Sequence, residues 1–333
     1  MISIYLITGV AGFIGSFLAK RLLEEGHKVI GVDNINDYYD VNLKYERLSL
    51  IKNESNFIFY KEDISNKNGM EDIFKKHKFD YVINLAAQAG VRYSIENPDA
   101  YINSNVIGFY NILELIRRNP VKHLVYASSS SVYGANKKVP FEESDNVDNP
   151  VSLYAATKKT NELMAYTYSH LYDIPTTGLR FFTVYGPMGR PDMAYFIFAD
   201  KYFKGESIKI FNNGDFENDM YRDFTYIDDI VEGIVRITKK PPLELKPKQR
   251  VLNIGNNEPI KLMEFITILE QELSRAYNKH IVFDKEYEPI KPGDVHKTYA
   301  SIDELNKLTE FKPTTHIREG LRKFSEWYYE YGK

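Results

Sequence analysis

Tyr154 and Lys158 stand four residues apart in the run Ser152-Leu-Tyr-Ala-Ala-Thr-Lys158. On a helix that spacing places both side chains on one face. A free phenol has a pKa of about 10 and is a weak base at neutral pH. A neighbouring ammonium, helped by any positively charged ring bound nearby, favours the phenolate and lowers that pKa. The pair therefore predicts a proton acceptor that works near neutrality. In a chain with 26 tyrosines the spacing alone is ordinary coincidence. Its place, one unit after a strand that runs into four serines (Ser128 to Ser131), gives it meaning.

A second constellation lies near the start of the chain. The apolar run Ile4 to Ile7 ends in glycines at 9, 12 and 15, and a helical pattern follows from Phe13 to Glu25. Gly9 permits a tight turn, Gly12 lets backbone approach a diphosphate, and Gly15 lets helix pack closely on strand. Phe13 and Ile14 share that turn. The helix N-terminus then presents unbonded N–H groups and a positive dipole end to phosphates. The next strand, Lys28 to Val32, closes on Asp33, whose carboxylate accepts from both ribose hydroxyls and repels a 2′-phosphate. NAD is therefore expected rather than NADP. Asn34 and Asn36 are candidates to hold the same ribose. Asp63-Ile64, after the third strand, offers an acceptor and an apolar contact for adenine. The small residues of Leu85-Ala86-Ala87, after the fourth, let backbone approach the cofactor.

Strand and helix patterns alternate between these two constellations. Strands are expected at Phe57–Tyr60, Tyr81–Leu85 and His123–Ser128, and helices at Val41–Ile51, Gly69–His77, Asp99–Asn119 and Ser152–Tyr172. Alternation of this kind predicts an α/β fold, a Rossmann-like doubly wound parallel sheet with helices on both faces. Ligands then sit beyond the carboxyl ends of the strands, where Gly9, Asp33, Asp63, Ala86 and Ser129 all fall. After Pro187 the alternation loosens. A smaller α/β substrate-binding domain is expected over 184–333, against an NAD-binding domain over 1–183, with 226–255 a candidate to return to the first. In this half the reading includes a strand at Ile281–Phe283, a terminal helix at Ile317–Tyr331, and Asp228 as N-cap of a helix over Ile230–Thr238.

Composition narrows the classes. The 333 residues are 43% hydrophobic and 27% charged, and the net charge of −3 argues against nucleic acid or an anionic membrane as the main partner. The absence of cysteine excludes disulfides, thiolate catalysis and cysteine zinc sites, and no metal is expected. No run approaches the length of a membrane span and no basic leader precedes the first strand, so a cytoplasmic location is expected.

Taken together, Gly-x-x-Gly-x-x-Gly, Asp33, Asp63-Ile64, Asn105, Ser128-Ser-Ser-Ser-Val-Tyr-Gly134, Tyr154-x-x-x-Lys158 and Arg222-Asp-Phe-Thr-Tyr-Ile-Asp-Asp229 resemble the extended short-chain dehydrogenase/reductases, which act on nucleotide sugars. Within them the chain looks like the UDP-glucuronate 4-epimerases, on Asp33-Asn-Ile-Asn-Asp-Tyr-Tyr-Asp40, Arg180 to Pro187, Gly189-Arg-Pro-Asp-Met-Ala194 and Lys291-Pro-Gly-Asp-Val295. The resemblance implies a bound NAD, a UDP-sugar substrate and a 4-keto intermediate. It makes Tyr154 the base and Lys158 the holder of the nicotinamide ribose. Ser129 becomes the hydroxyl on the reacting oxygen, and Asn105 a cofactor-site residue. It also implies a homodimer through the helices at 99–119 and 152–172. Members that eliminate water carry Asp-Glu after this serine, and decarboxylating members resemble Ser-Glu. Here Ser130 and Ser131 stand instead, which argues for epimerisation.

The choice of sugar turns on a carboxylate. A uronic acid must have its charge paired or hydrogen-bonded, and Arg190, with Thr183, Ser130 and Ser131, could cradle it. The competing reading pairs Arg190 with Asp192. UDP-N-acetylglucosamine or UDP-glucose 4-epimerase, or a keto-sugar reductase of the same fold, remain the alternatives. Arg222 is the candidate for the diphosphate and Asp294 for a ribose hydroxyl of the substrate.

Overall fold

A computed structural model describes residues 2–212, 214–215, 219–289 and 297–332. The chain opens with strand β1 (Ile4–Thr8), helix α1 (Phe13–Glu24), β2 (Lys28–Asp33), α2 (Val41–Ser49), β3 (Phe57–Lys61), α3 (Lys67–Lys76) and β4 (Tyr81–Asn84). Short helices α4 (Tyr93–Glu96) and α5 (Pro98–Tyr101) follow, then a π-helical stretch, Ile102–Gly108, that runs into α6 (Phe109–Arg118). The long helix expected over 99–119 is thus widened in its first half. β5 (His123–Ser129), α7 (Leu153–Tyr172) and β6 (Thr176–Phe181) complete the first alternation.

The remaining elements are β7 (Thr183–Tyr185), α8 (Ala194–Phe203), β8 (Ile208–Ile210), β9 (Tyr221–Tyr226), α9 (Ile227–Thr238), β10 (Gln249–Ile254), β11 (Pro259–Lys261), α10 (Leu262–Tyr277), β12 (Lys285–Tyr287), β13 (Lys297–Thr298), α11 (Asp303–Thr309) and α12 (Ile317–Tyr331). Two local expectations shift. The strand after α10 forms at 285–287 rather than 281–283, because there it pairs in parallel with β8. Asp228 does not cap α9. That helix begins at Ile227, one residue after Tyr226, and Asp228 lies in its first turn, where a carboxylate still meets the positive dipole end.

A seven-stranded parallel sheet runs in the order β10-β6-β5-β4-β1-β2-β3. Strand order reverses between β1 and β4, so a crevice opens beyond their carboxyl ends. β1, β2 and β5 are buried on both faces, as parallel strands under two helix layers must be, while the edge strand β3 is only partly buried. β7, β9, β11 and β13 form a smaller sheet, and β8 and β12 a two-stranded one. An aromatic cluster fills the space behind them, with Phe196, Phe324 and Tyr328 among its members.

His123, at the start of β5, shows how firmly the sheet is tied. It is fully buried. One ring nitrogen meets the Thr238 carbonyl at 3.1 Å and the other the Thr177 hydroxyl at 2.8 Å. A carbonyl can only accept, so the ring is the neutral tautomer with its proton on Nδ1. Burial pushes its pKa down to about 4. The unfolded chain, with an ordinary histidine near 6.5, therefore takes up the proton first. This contribution to stability is intact above pH 6.5 and is lost as pH falls toward 4, by roughly 2–3 kcal/mol in all. Urea denaturation from pH 7.5 to 4.5 should show that loss in the wild type and a flatter profile in His123→Gln.

Candidate active site

The glycine turn opens the site. Gly9 has φ +72°, and a Cβ there would lie 2.7 Å from the Ala86 backbone nitrogen. At Gly15 a Cβ would fall 2.1 Å from the Gly9 carbonyl oxygen. Turn, β4 and α1 are therefore in backbone contact, and no larger residue fits. Gly12 is the N-cap of α1, and no side chain caps that helix. Its first N–H groups are left for a ligand, the arrangement that suits a diphosphate.

Asp33 accepts from the backbone N–H of Ala11 at 3.0 Å and of Ile35 at 2.9 Å, so the turn and the acid hold one another. Burial raises its pKa, and those N–H bonds and the Lys44 charge oppose the rise. Asn34 donates to Asp63 at 2.7 Å. Burial acts against the Asp63 charge, but the hydrogen bonds from Ser65 and Asn34 outweigh it and hold its pKa below the ordinary value. Gly9, Gly12, Phe13, Ile14, Gly15, Asp33, Asn34, Asn36, Asp63, Ile64, Leu85, Ala86 and Ala87 all line one cleft with Ser129, Tyr154, Lys158 and Arg190. The donor set fits an adenine dinucleotide: a phosphate turn, an acid for the ribose, and an acceptor beside an apolar residue for adenine.

Asn105 is the exception among the cofactor residues. It is 2% exposed and does not line the cleft. Its amide donates to the Gln88 carbonyl and the Thr157 hydroxyl, and its oxygen accepts from the Gln88 N–H. All its polar groups are thus used in tying the loop after β4 to α7. It lies behind the cleft wall and holds it through Gln88 and Thr157.

At the chemical end, α7 carries Tyr154 and Lys158 on its inner face, and its N-terminus is capped by Ser152, which accepts from the Ala155 N–H at 3.1 Å. Lys158 is buried, and its ammonium donates to the Ala127 carbonyl at 2.9 Å. Burial alone pushes its pKa down to about 7. Burial also raises the Tyr154 phenol, while the Ser129 hydroxyl and the Arg190 charge pull it down. Burial is the largest influence on both groups, and it opposes the depression of Tyr154 that the sequence predicts, while the Lys158 ammonium lies 6.0 Å from the centre of the Tyr154 ring.

The serines separate by partner. Ser128 is buried and donates to Glu162 at 2.6 Å. Ser129 lines the cleft and accepts from the Ser131 N–H at 3.1 Å. Ser130 and Ser131 sit on the 3₁₀ turn 130–133, and neither lines the cleft. Thr183 starts β7, just beyond the cleft-lining Phe181 and Phe182, and is not part of the wall. Arg222 lies on β9, outside the cleft, and donates to the Tyr221 carbonyl at 2.8 Å. Asp294, and with it the 291–295 motif, lies outside the described residues. Arg190 does reach the cleft, and it also makes the competing contact. It grips Asp192 through two nitrogens, one at 2.9 Å. Asp192 accepts in addition from the Tyr38 hydroxyl at 3.2 Å.

Several site residues escaped sequence reasoning. Tyr38, Lys44, Gln88, Phe181, Phe182 and Met193 also line the cleft. Lys44 is buried, with its ammonium 2.6 Å from the Asn36 carbonyl. Nothing in its helical spacing distinguishes it from a solvated lysine. Glu162 did leave a signal, because Tyr154, Lys158 and Glu162 repeat at four-residue intervals on one helix face. Its carboxylate receives two nitrogens of Arg180, each at 2.9 Å, and this ion pair is almost fully buried. Arg180 continues to the Tyr133 hydroxyl at 3.1 Å, and Tyr133 donates to Asn253 at 2.6 Å.

The comparisons with known proteins agree with this geometry. Residues 6–324 match the family described as GDP-mannose 4,6 dehydratase. The chain is 53% identical to Protein CapI of Staphylococcus aureus, over 98% of this chain and 99% of that one. It is 46% identical to a probable UDP-glucuronate 4-epimerase of Rhizobium meliloti, over 97% and 96%. A crystal structure of UDP-glucuronic acid 4-epimerase from Bacillus cereus, in complex with UDP-glucuronic acid and NAD, superposes with a TM-score of 0.84 at 31% identity, covering 98% of this chain and 99% of that one.

The Glu162–Arg180 pair yields a prediction. Arg180→Met leaves a buried carboxylate without its partner and should cost about 3–5 kcal/mol in urea denaturation. Glu162→Leu combined with Arg180→Met should regain most of that stability, since an apolar pair of similar volume replaces the ions. Its kcat should stay about ten- to a hundredfold down, because Ser128 loses its anchor and the strand end carrying Ser129 drifts from Tyr154. Recovery of kcat together with stability would reject a positioning role.

Proposed function

The chain belongs to the extended short-chain dehydrogenase/reductases, in the family described as GDP-mannose 4,6 dehydratase, and from that premise we propose that it is an NAD-dependent 4-epimerase converting UDP-glucuronate to UDP-galacturonate. The observation that carries this reading is the convergence of Tyr154, Ser129 and Arg190 on the cleft opened by the glycine turn. NAD, when bound, takes the hydride from carbon 4 of the sugar and returns it to the opposite face, through a 4-keto sugar.

The protein groups do the rest. Tyr154 takes the proton of the 4-hydroxyl and later gives it back. Ser129 hydrogen-bonds the same oxygen. Lys158, fixed on Ala127, holds the nicotinamide ribose. Phe181, Phe182 and Met193 supply apolar walls that limit water at the reacting carbon. Ser130 and Ser131 stand where acid–base side chains would be needed for elimination, and hydroxyls cannot serve. Arg190 spends two of its five N–H donors on Asp192, and the others suit the sugar carboxylate. Thr183, Ser130, Ser131, Arg222 and Asp294 remain substrate candidates in this reading, the first three for the carboxylate end and the last two for the UDP end.

The same reading takes residues 1–183 with 226–255 as the NAD-binding part, supported by the pairing of β10 with β6. It includes a cytoplasmic homodimer through α6 and α7. Leu163, Tyr166 and Leu171, which are 55%, 50% and 60% exposed, support that face. No helix of the described residues is long and apolar enough to cross a membrane.

Proton NMR of the enzyme with UDP-glucuronate, UDP-glucose and UDP-N-acetylglucosamine, without added cofactor, tests the proposal. UDP-galacturonate should form fastest. Turnover of a neutral sugar with none of the uronate would move the chain to the alternative epimerases, and dependence on added NADH would make it a reductase. Tyr154→Phe should lose about 10²–10⁴ of kcat while keeping NAD, the range expected for a general base. Unchanged turnover would reject Tyr154.

A further inference from the structure

Arg47 lies in the last turn of α2, and its side chain is fully buried. Its guanidinium donates to the Met188 carbonyl at 2.9 and 2.7 Å and to the Gly189 carbonyl at 3.0 Å. It also donates to the Ala11 carbonyl at 3.3 Å and to the Tyr39 hydroxyl at 2.5 Å. The group lies 5.3 Å from the centre of the Tyr39 ring and 6.0 Å from that of Phe13. No carboxylate among the described residues pairs with it, and every partner is a carbonyl or a phenol.

Two features make this more than a packing contact. A buried cation is costly unless its charge is met, and here the Arg47 charge acts on the buried Asp33 carboxylate, the acid expected to hold the cofactor ribose, and opposes the rise that burial causes in its pKa. Ala11 and Phe13 belong to the glycine turn, where the phosphates of a dinucleotide would lie. The same guanidinium also grips the loop that presents Arg190. In that loop Met188 is held at φ +56°, a conformation a methionine adopts only when its surroundings impose it. A Cβ at Gly189 would collide with the Tyr195 hydroxyl at 1.8 Å, so the loop cannot relax toward that side. A second strap runs in parallel, from Tyr38 to Asp192.

We propose that Arg47 is a positioning residue that couples cofactor occupancy to substrate recognition: its charge faces the dinucleotide diphosphate through the glycine turn, while its hydrogen bonds to Met188 and Gly189 set the loop that aims Arg190 at the sugar. The coupling deepens the functional reading above and rests on it for the identity of the sugar. The cofactor half stands without it. NAD retention and preference for a charged sugar then share one residue that touches neither the reacting carbon nor the nicotinamide.

The test uses the full chain with Arg47→Met and Arg47→Lys. NAD per protein is measured after gel filtration, and KM and kcat at saturating NAD are measured on the UDP-sugar that the wild type turns over. Arg47→Met should lose most of its bound NAD and show KM raised about tenfold with kcat nearly kept, the loss expected for a charge-supported hydrogen bond at the loop. Arg47→Lys keeps the charge but cannot span two carbonyls, so it should retain NAD and still show the raised KM. A folded Arg47→Met with wild-type NAD content and KM overturns the proposal. So does Arg47→Lys with a wild-type KM, which remains decisive if the methionine variant does not fold. If the wild type turns over only a neutral UDP-sugar, the functional reading fails while the NAD comparison still judges Arg47.

Discussion

The site depends on one buried contact surface, where α7 lies against the end of β5. Tyr154 can serve Ser129 only if helix and strand keep a fixed register. Three polar contacts set it: Lys158 on the Ala127 carbonyl, Ser128 on Glu162, and Glu162 on Arg180 of the neighbouring strand β6. Each is desolvated, so each would be expensive to break and leave unpartnered. An apolar interface of the same area would hold helix and strand together but would tolerate sliding, because the hydrophobic effect is non-directional. Here the ion pair supplies direction, and the reacting groups inherit it.

The same economy of backbone contact operates at the cofactor end. The turn after β1 touches β4 and α1 so closely that only glycine fits at positions 9 and 15. Asp33 then locks the turn by accepting from Ala11, and Arg47 fastens the turn to the loop of Met188 and Gly189. The crevice at the reversal of strand order is thus closed on one side by backbone and on the other by a loop from the second half of the chain. A ligand held there is gripped by groups fixed by contacts within the protein itself, which reduces the entropic cost of binding.

Much of this was legible in the sequence, for physical reasons that differ by element. Parallel strands under two helix layers must be apolar throughout, so β1, β2, β4 and β5 stand out as short apolar runs. The glycine turn is legible because steric exclusion leaves no substitute. Tyr154 and Lys158 are legible because helical periodicity is local. What was not legible depends on contacts between distant segments. Asn105 has the type of a cofactor residue, yet its amide is consumed by Gln88 and Thr157. Arg190 meets both descriptions at once, lining the cleft and pairing with Asp192. Lys44 and Arg47 have the composition of a solvated helix face, and only the fold turns that face inward. The strand at 285–287 is fixed by its partner β8, some 75 residues earlier, so local pattern misplaced it.

The central claim is that the hydrogen on carbon 4 leaves as hydride to NAD and the same hydrogen returns to the opposite face, while Tyr154 takes and returns the proton of the 4-hydroxyl. Supplying UDP-glucuronate deuterated at carbon 4, in ordinary water and with no added cofactor, tests it most directly. The account predicts that UDP-galacturonate, analysed by mass spectrometry and proton NMR, keeps the deuterium at carbon 4 in full. Replacement of that label by solvent hydrogen would contradict it, since the configuration would then be inverted by proton exchange and the dinucleotide cleft would have no part in the chemistry.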